Sequence, residues 1–332
     1  MKYIINMLAQ PEKVTTTQVM EKNVNKAMEV YLKNSFVCFS SIRNCNKDID
    51  DLTLVLFSNF PLYEPYKSMF ESIDVKNVVL PFGEFAISDN FAWSIVQYRY
   101  DVMKYIAENF ESEDIVVQLD TDIYCAGSLK DMFEELTENL LLYDVQHSFH
   151  NVDRHHVLYN YEKIYGKVGH LIHYGGEFIG GKVEHIRKLF DGCKKVIKEA
   201  DGIEGLENYN DEHITSIAVY HDLKNIVQNA NAYIFRYWTQ RFYLASTNYN
   251  RNKVVLWHMP AEKDSAFIYL FNYYQKKQRF PKDKKVAKLA GFPVPHQRRS
   301  FARFIMKITS GYYVKRFKKA IKIIKKRIKG EK

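Results

Sequence analysis

Hydrophobic positions along the first 140 residues follow two alternating periods, one typical of strands and one typical of helices. Short runs rich in β-branched and aromatic residues predict strands, and these runs lie at 2–8, 52–58, 75–82 and 115–119. Apolar residues at helical spacing predict helices after these strands, and the helical segments lie at 17–45, 91–110 and 128–141. Strands that alternate with helices indicate an α/β fold with a mainly parallel central sheet.

The apolar run at 115–119 ends directly on two acids, Asp120 and Asp122, which are separated by Thr121. Ligands of open α/β sheets bind at the carboxyl ends of strands, and side chains two residues apart in an extended segment face alike. Two carboxylates so placed suit Mg²⁺ or Mn²⁺. Such an ion would hold a nucleotide diphosphate and offset charge on that leaving group. A D-x-D sequence is also common in solvated turns, but its position between a strand and a helix favours the metal site.

Composition narrows the class of protein. The chain has 332 residues, 46% of them hydrophobic and 26% charged, as in ordinary globular proteins. No stretch approaches the roughly 18 apolar residues of a transmembrane helix, and the first apolar run is too short for a signal peptide. The four cysteines form no CxxC spacing, which argues against a structural zinc site and a disulfide framework. We therefore expect a protein of the reducing cytoplasm.

Positive charge is concentrated at the end of the chain. Residues 298–332 carry 14 Lys and Arg and one acid, so they contribute +13 to a net charge of +9. Five apolar residues of this tail form one helical stripe, at Tyr313, Phe317, Ile321, Ile324 and Ile328. A basic helix with an apolar stripe is typical of an anionic membrane surface, where each basic residue contributes about 1 kcal/mol. A nucleic-acid-binding arm is the alternative, but phosphate binding does not require the stripe; we expect a membrane partner and no nucleic acid.

A proline-containing stretch separates this tail from the rest of the chain. Residues 281–300 hold three prolines and many charges, and they are predicted to form a linker. The expected organisation is therefore a catalytic domain over 1–280, a linker over 281–300 and a membrane-association helix within 301–332.

Three segments resemble those of known glycosyltransferases. Residues 112–133, SEDIVVQLDTDIYCAGSLKDMF, resemble the D-x-D segment of retaining glycosyltransferases with the GT-A fold. Residues 173–186, HYGGEFIGGKVEHI, and 208–220, NYNDEHITSIAVY, resemble the GGxFGG and HDESHLN segments of glycosyltransferase family 6, the family of the blood-group A and B transferases. The resemblance covers about 45–264, although three residues stand between the glycine pairs where family 6 has two. Family 8 transferases share much of this layout.

The resemblance implies a GT-A nucleotide-sugar-binding fold, with Mn²⁺ or Mg²⁺ and a UDP-sugar donor. The final H…K segment of family 8 is similar to His258 and Lys263 in this chain. A neutral imidazole there would be a third metal ligand, and the lysine would pair with the diphosphate. The metal ligands implied in this way are Asp120, Asp122 and His258. The implied donor-binding residues are Asp120, Asp122, Arg99, Gly175, Gly176 and Lys263.

Asp211 and Glu212 are the catalytic residues that the resemblance implies, the first at the donor sugar and the second beneath its anomeric carbon. Retention requires either a carboxylate nucleophile or a front-side route whose positive charge a carboxylate stabilises. Each of these roles has a structural alternative. Acids are favoured in the first turn of any helix, and glycine pairs also form tight turns. His258 could equally be a half-buried core histidine, and Lys263 a surface charge.

These features together predict a peripheral membrane glycosyltransferase at the inner face of the cell membrane. It would transfer galactose or N-acetylgalactosamine, with glucose also possible, from a UDP-sugar to a glycan or lipid-linked acceptor. Two other classes stay open: a nucleotidyltransferase with the same acids and metal, and a non-enzymatic lipid- or nucleic-acid-binding protein. Deletion of residues 298–332 is expected to abolish a binding function but to leave an enzyme active on a soluble acceptor.

Overall fold

A computed structural model gives the structure of most of the chain. It describes residues 1–10, 23–83, 85, 94–145, 152–167, 169–237, 254–291, 301–314, 316–318 and 320–321. The chain divides into two compact units. The first consists of Met1–Gln10, Lys47–Asp120 and Ser128–Ile234, and the second of Pro11–Asn46, Thr121–Gly127 and Phe235–Lys332.

Ten strands occur in the described part of the chain, in two sheets. They are β1 (Lys2–Leu8), β2 (Leu52–Ser58), β3 (Val75–Val79), β4 (Ile115–Leu119), β5 (Ile123–Cys125), β6 (Leu140–Asp144), β7 (Tyr174–Lys182), β8 (Val227–Asn229), β9 (Ile234–Arg236) and β10 (Leu256–His258). The larger sheet has seven strands in the order β3-β2-β1-β4-β7-β6-β8, and the smaller has three in the order β5-β10-β9.

One strand of the seven-stranded sheet runs against the others. The neighbours β3, β2, β1 and β4 are parallel, as are β6 and β8, whereas β7 is antiparallel to both β4 and β6. Leu119 at the end of β4 pairs with Phe178 of β7, and Asp144 at the end of β6 pairs with Tyr174. The residues that begin β7 therefore lie at the sheet edge where β4 delivers Asp120.

Helices connect and flank these strands. They are α1 (Val24–Cys45), α2 (Tyr66–Glu71), α3 (Tyr98–Asn109), α4 (Lys130–Glu135), α5 (Val152–Tyr165), α6 (Val183–Ala200), α7 (Asp211–Ala218), α8 (Ala266–Lys277), α9 (Asp283–Ala290) and α10 (Phe301–Thr309). Asparagine side chains begin two of them: Asn23 accepts a backbone hydrogen bond at the start of α1, and Asn210 does so at the start of α7. Such caps satisfy N–H groups that have no partner within the helix.

The core of the first unit forms around its central strands. Every residue of β4 is buried, and Ile4 and Ile5 of the neighbouring β1 are fully buried. A continuous buried apolar run marks a strand that is covered on both faces. Val102 of α3 and Leu189 of α6 belong to the same core, and burial of each such side chain stabilises the fold by about 1.5–3 kcal/mol.

The second unit has a smaller sheet and a core built around α1. Strand β10 is antiparallel to β5, and α1 packs against α8. The ring of Phe36 lies 5.6 Å from that of Phe271 and 5.5 Å from that of Tyr274, both edge-on. Edge-to-face pairs of this kind stabilise packing beyond the burial of their area. They fix α1 on α8 in this unit.

The C-terminal region exposes apolar side chains. The described residues of 312–321 are helical, and eight large apolar residues of this region are exposed, namely Phe301, Phe304, Ile305, Ile308, Tyr313, Val314, Phe317 and Ile321. Ile324 and Ile328 of the predicted stripe lie outside the described residues. None of the described helices combines the length and the apolar character needed to cross a bilayer.

The structure corrects two predicted boundaries near the centre of the sheet. The helix predicted over 128–141 is shorter in the structure: α4 ends at Glu135, and Leu140 already belongs to β6. Its apolar run is taken into the sheet between β7 and β8. The strand predicted over 75–82 ends at Val79. The bounds predicted for β1, β2 and β4 are confirmed.

Two further predictions are corrected in the helical segments. The described part of the helix predicted over 91–110 begins as a 3₁₀ turn at Ser94 and becomes α3 at Tyr98. The linker predicted over 281–300 contains the eight-residue helix α9, and 292–300 lies outside the described residues. The region between the two predicted domains is therefore not a continuous linker.

Candidate functional site

The two acids that follow β4 enter a turn. The last carbonyl of β4 accepts a hydrogen bond from Asn6 Nδ2 (2.9 Å), and the Asp120 N–H donates to the carbonyl of Glu177 in β7 (3.1 Å). Thr121 and Asp122 then form a turn before β5 begins. The paired acids thus lie in a turn, whose first residue is hydrogen-bonded to the sheet. The sequence had predicted an extended segment instead.

The pairing of β10 with β5 places His258 beside Asp122. His258 is opposite Ile123 in the register, and the Met259 N–H donates to the Asp122 carbonyl (3.0 Å). His258 Nε2 lies 3.2 Å from Asp122 Oδ2, and Lys263 Nζ makes an ion pair with the same oxygen. Asp122, His258 and Lys263 are 1%, 3% and 5% exposed. His258 and Lys263 are therefore not the half-buried histidine and surface lysine of the alternative interpretation.

The electrostatic surroundings keep Asp122 ionised. Burial acts to raise the pKa of this carboxyl, but the charges of Lys263 and His258 and their hydrogen bonds hold it well below its ordinary value. A buried carboxylate that stays charged at neutral pH is a strong ligand for a cation.

Asp120, Asp122 and His258 have the geometry of a metal site. Each offers one ligand atom, and the three atoms lie within 4.8 Å of one another. Within the described ranges this is the one group of three or more His, Cys, Asp or Glu side chains so arranged. Two carboxylate oxygens and one imidazole nitrogen fit Mn²⁺ or Mg²⁺, and three protein ligands leave coordination positions for the oxygens of a substrate.

A second cluster, in the first unit, is centred on Arg99 of α3. Its Nη1 lies 2.5 Å from Oδ2 of Asp211 at the start of α7, and its Nη2 donates to the Gly176 carbonyl of β7 at 2.7 Å. A Cβ at position 176 would lie 2.6 Å from Nη2 of Arg99 and 2.9 Å from Asp211 Oδ2. A larger residue at this position would displace the buried Arg99–Asp211 pair, and Gly176 lies within a strand rather than a tight turn.

Negative charge exceeds positive charge around Arg99. Burial raises the pKa of Asp211; the charge of Arg99 opposes this rise and the charge of Glu212 adds to it, and the pKa lies above its ordinary value. Burial would lower the pKa of Arg99, but the carboxylates of Asp211, Asp120 and Glu212 raise it. One guanidinium therefore stays charged in the field of three carboxylates.

Glu212 is the partly accessible member of this second cluster. Its side chain is 25% exposed, and Oε2 lies 3.0 Å from His173 Nε2. Oε1 accepts the Gly176 N–H at 3.3 Å. Asp211 and Glu212 also occupy the first turn of α7, so the helix-terminus interpretation and a functional role apply to the same residues.

Two histidines beside Glu212 were not identified as site residues from the sequence. His173 and His213 are buried, and their rings are 5.8 Å apart and nearly perpendicular. The amide nitrogen of Asn160 lies 2.9 Å from His213 Nδ1, so that nitrogen is assigned as an acceptor. Burial lowers the pKa of His213 to about 3, which makes this ring neutral. Their only sequence signals are their positions, directly after Glu212 and two residues before the first glycine pair.

The structure places the predicted site residues in two groups. Asp122 is in contact with His258 and Lys263, and Asp120 completes their metal-ligand set. Arg99 contacts Gly176 and Asp211, and Glu212 contacts Gly176. Gly175 lies beside Gly176 in β7. Trp257, next to His258, is buried and donates to the Val254 carbonyl (2.9 Å), as a core residue would.

The fold resembles solved glycosyltransferase structures. The crystal structure of the galactosyltransferase LgtC in complex with donor and acceptor sugar analogs matches with a TM-score of 0.50 and 13% identity, over 77% of this chain and 86% of that one. The apo structure of mouse xyloside xylosyltransferase 1 matches with a TM-score of 0.51 and 14% identity, over 78% and 97% of the two chains. No protein-family model and no curated protein sequence matches the chain. The predicted likeness to family 6 is thus not confirmed, whereas the chain has the predicted α/β architecture, the GT-A fold.

Proposed function

We propose that the chain is a metal-dependent retaining glycosyltransferase that moves a hexose or N-acetylhexosamine from a UDP-sugar to a glycan or glycolipid acceptor. The observation that carries this proposal is the buried group of Asp120, Asp122 and His258 at the carboxyl end of β4. In an α/β sheet this is where ligands bind. The proposal is supported by two solved structures of the same fold, whose proteins are a galactosyltransferase and a xylosyltransferase.

The first group of residues is suited to the diphosphate of the donor. Asp120, Asp122 and His258 would hold Mn²⁺ or Mg²⁺, and a bound divalent ion supplies positive charge against the developing charge of the leaving UDP. Lys263 brings a further point charge to the same place. Since Lys263 pairs with Asp122 before any donor is bound, its side chain is already held where a phosphate would need it.

The second group is suited to the sugar of the donor. Arg99 holds Asp211 in position to accept hydrogen bonds from sugar hydroxyls, and Gly175 and Gly176 let the backbone approach the donor closely. Glu212 acts at the anomeric carbon, either by attack or by stabilising positive charge on a front-side route. Galactose and N-acetylgalactosamine are favoured by the sequence resemblance, and glucose is a further candidate.

The tail places the enzyme at a membrane in this proposal. The exposed apolar residues of α10, among them Phe301 and Phe304, stand beside basic residues such as Lys307, as in helices that lie on anionic lipid. The acceptor would then be a glycolipid or lipid-linked glycan at the cytoplasmic face of the cell membrane.

The activity is tested by incubating the protein with a panel of UDP-sugars and Mn²⁺ and measuring the release of UDP. Release with at least one donor, its loss in Asp122→Ala and its persistence in the surface variant Asp201→Ala are expected. Pyrophosphate release from a nucleoside triphosphate would instead identify a nucleotidyltransferase. Absence of UDP release with every donor would overturn the proposal.

The membrane part is tested by sedimenting the full chain with anionic and with neutral phospholipid vesicles. Binding to anionic vesicles, lowered by salt and by Phe301→Asp, is expected, because the helix combines apolar insertion with charge attraction. Equal recovery of Phe301→Asp and the wild type on anionic vesicles would contradict the placement at a membrane.

A further inference from the structure

An arginine of the tail helix α10 is buried, although the sequence predicted that the tail only contacts a membrane. Arg303 is 2% exposed. Its Nη2 lies 2.5 Å from Oε1 of Glu262, which is fully buried, and its Nη1 donates to the Leu289 carbonyl of α9 at 2.6 Å. Within the second unit, α10 is therefore fixed from its inner face by a guanidinium that bonds to both Glu262 and Leu289.

The end of α9 is shaped around this guanidinium. Gly291 ends α9 with φ of +89°, and a Cβ there would lie 2.9 Å from Cζ of Arg303. Both the left-handed backbone and the contact require glycine. The end of α9 therefore leaves room for the guanidinium of Arg303 only because residue 291 has no side chain.

Glu262, the partner of Arg303, belongs to the short segment Met259–Lys263, whose two end residues contact Asp122. It closes a 3₁₀ turn in which its N–H donates to the Met259 carbonyl (2.9 Å), and its carbonyl accepts the Ser265 N–H (3.0 Å). The Ser265 hydroxyl donates to the Glu262 carboxylate. The residue after Glu262 is Lys263, whose amine pairs with Asp122.

The energetics of the Arg303–Glu262 pair suit a positioning role. A buried ion pair loses much of its attraction to desolvation, and a hydrophobic pair of the same volume is often as stable. A buried pair with fixed hydrogen-bond directions, however, defines one geometry for the backbone that carries it. Here that backbone is the turn between Met259, bonded to the Asp122 carbonyl, and Lys263, bonded to the Asp122 carboxylate.

We infer that Arg303 is a positioning residue of the donor site: through Glu262 it fixes the turn that presents Lys263 to Asp122. The helix α10 is then part of the catalytic unit rather than a detachable membrane tail. The inference rests on the proposed function insofar as Asp122 and Lys263 bind the donor. It reverses the expectation for deletion of residues 298–332, which removes Arg303 and leaves Glu262 buried without it; such a deletion abolishes turnover even on a soluble acceptor.

The experiment compares Arg303→Met, Arg303→Lys and the double variant Arg303→Met/Glu262→Gln in the full chain, with the exposed Arg316→Met as matched control. The first readout needs no ligand: labelling of Lys263 by acetic anhydride, followed by mass spectrometry. The second is the Michaelis constant for the UDP-sugar on a soluble acceptor, measured together with kcat. The third is urea unfolding of each variant.

Arg303→Met is expected to expose Lys263 to labelling and to raise the donor KM roughly 10- to 100-fold, as loss of an outer partner does at metal sites, with a smaller effect on kcat. Arg303→Lys recovers part of this, because an amine cannot bond to both Glu262 and Leu289 in the same way. The double variant removes the unpaired charge and recovers stability, but its donor KM stays raised.

Unchanged labelling of Lys263 in Arg303→Met would overturn the inference, and so would a double variant in which donor KM and stability both return to wild type. Arg316→Met should match the wild type in every readout, and an equal rise of its donor KM would likewise overturn it. If the wild type shows no UDP release with any donor, the proposed function fails, yet the labelling of Lys263 still decides whether Arg303 holds the turn.

Discussion

Two of the buried carboxylate–cation pairs among the described residues, Asp122 with Lys263 and Asp211 with Arg99, have carboxyl pKa values that shift in opposite directions. Asp122 lies beside Lys263 and His258, whose interactions hold its pKa below the ordinary value despite burial. Asp211 has one cationic partner, Arg99, and an acidic neighbour, Glu212, and its pKa is raised. Burial is similar in the two cases, so the balance of neighbouring charge decides the direction.

Under the proposed function, the two pairs would serve opposite electrostatic tasks. Positive charge surrounds Asp122, as the diphosphate of a departing nucleotide requires. Negative charge surrounds Arg99, as the positive anomeric carbon of a glycosyl transition state requires. The proposed transfer would use both environments, because the leaving diphosphate and the anomeric carbon carry charge of opposite sign.

The largest expected effect is on activity: of the two carboxylates, Asp122 is proposed to bind the metal and Asp211 is not. Asp122→Asn should lower UDP release roughly 100- to 1,000-fold, the range seen when one preorganised charge-stabilising group is removed, and should raise the Mn²⁺ concentration for half-maximal rate. Asp211→Asn should lower turnover without changing the Mn²⁺ requirement. Titration of activity with Mn²⁺ measures both. An equal rise in the half-maximal Mn²⁺ concentration of the two variants would contradict the distinction between the two carboxylates.

The two cations should differ in their effect on stability. Arg99→Met leaves Asp211 buried without its partner and should lower the free energy of unfolding by about 3–5 kcal/mol. Lys263→Met should cost less, because His258 still lies 3.2 Å from Asp122. Urea unfolding measures the difference, with the exposed Lys195→Met as control. A larger loss in Lys263→Met would show that His258 does not compensate for the missing amine.

A smaller change in stability is expected at Gly176, which lies close to Arg99. Gly176→Ala would place a methyl group 2.6 Å from Nη2 of Arg99 and should destabilise the protein by about 1–3 kcal/mol, as overpacking does. Gly192→Ala, in the middle of α6, meets its nearest neighbour at 3.4 Å and should stabilise by about 0.5–1 kcal/mol. Denaturant unfolding of both variants tests the contrast, which fails if they change stability in the same direction.

The smallest effect concerns the histidines of the two clusters. His258 lowers the pKa of Asp122, whereas burial lowers the pKa of His213 itself to about 3 from an ordinary 6.5. As pH falls below 6.5 the unfolded chain takes up a proton at His213 that the folded chain does not. Folding stability should therefore decline with falling pH by up to about 1.4 kcal/mol per pH unit from this group.

His213→Gln provides the matched measurement for this decline. The variant should be less stable than the wild type at pH 7, because the contact between Asn160 and His213 is altered, and the gap should narrow between pH 6 and pH 5. Urea unfolding at these pH values measures it. A constant difference in stability between the two proteins would mean that His213 takes up a proton as readily in the folded chain as in the unfolded chain.

Local sequence patterns predicted the strands that lead to the site. The runs at 2–8, 52–58 and 115–119 form strands with those bounds, because each is a compact apolar run between clear turn residues. The acids after the third run were also identified, since acids directly after a buried strand are conspicuous. Their turn geometry was not predicted, because it depends on the hydrogen bond from Asp120 to the distant Glu177.

The missed features depend on contacts between residues far apart in sequence. Leu140 was assigned to a helix because a short apolar run fits either period, and pairing with β7 and β8 makes it a strand. Arg303 was counted among the 14 basic residues of the tail, and only its contact with Glu262, 41 positions earlier, shows that it is buried. His173 approaches Glu212 across a similar separation, and no spacing marks the pair.

The reversed direction of β7 has a consequence for how such a protein can diversify. Because β6 ends and β7 begins at the edge that carries Asp120, the connection from Asp144 to Tyr174, with α5 inside it, leaves and re-enters the sheet there. Insertions and deletions in this connection alter what borders the edge without shifting any strand register. If the proposed function holds, changes in this one connection would alter the surroundings of the acceptor, while the residues proposed to bind the donor lie outside it.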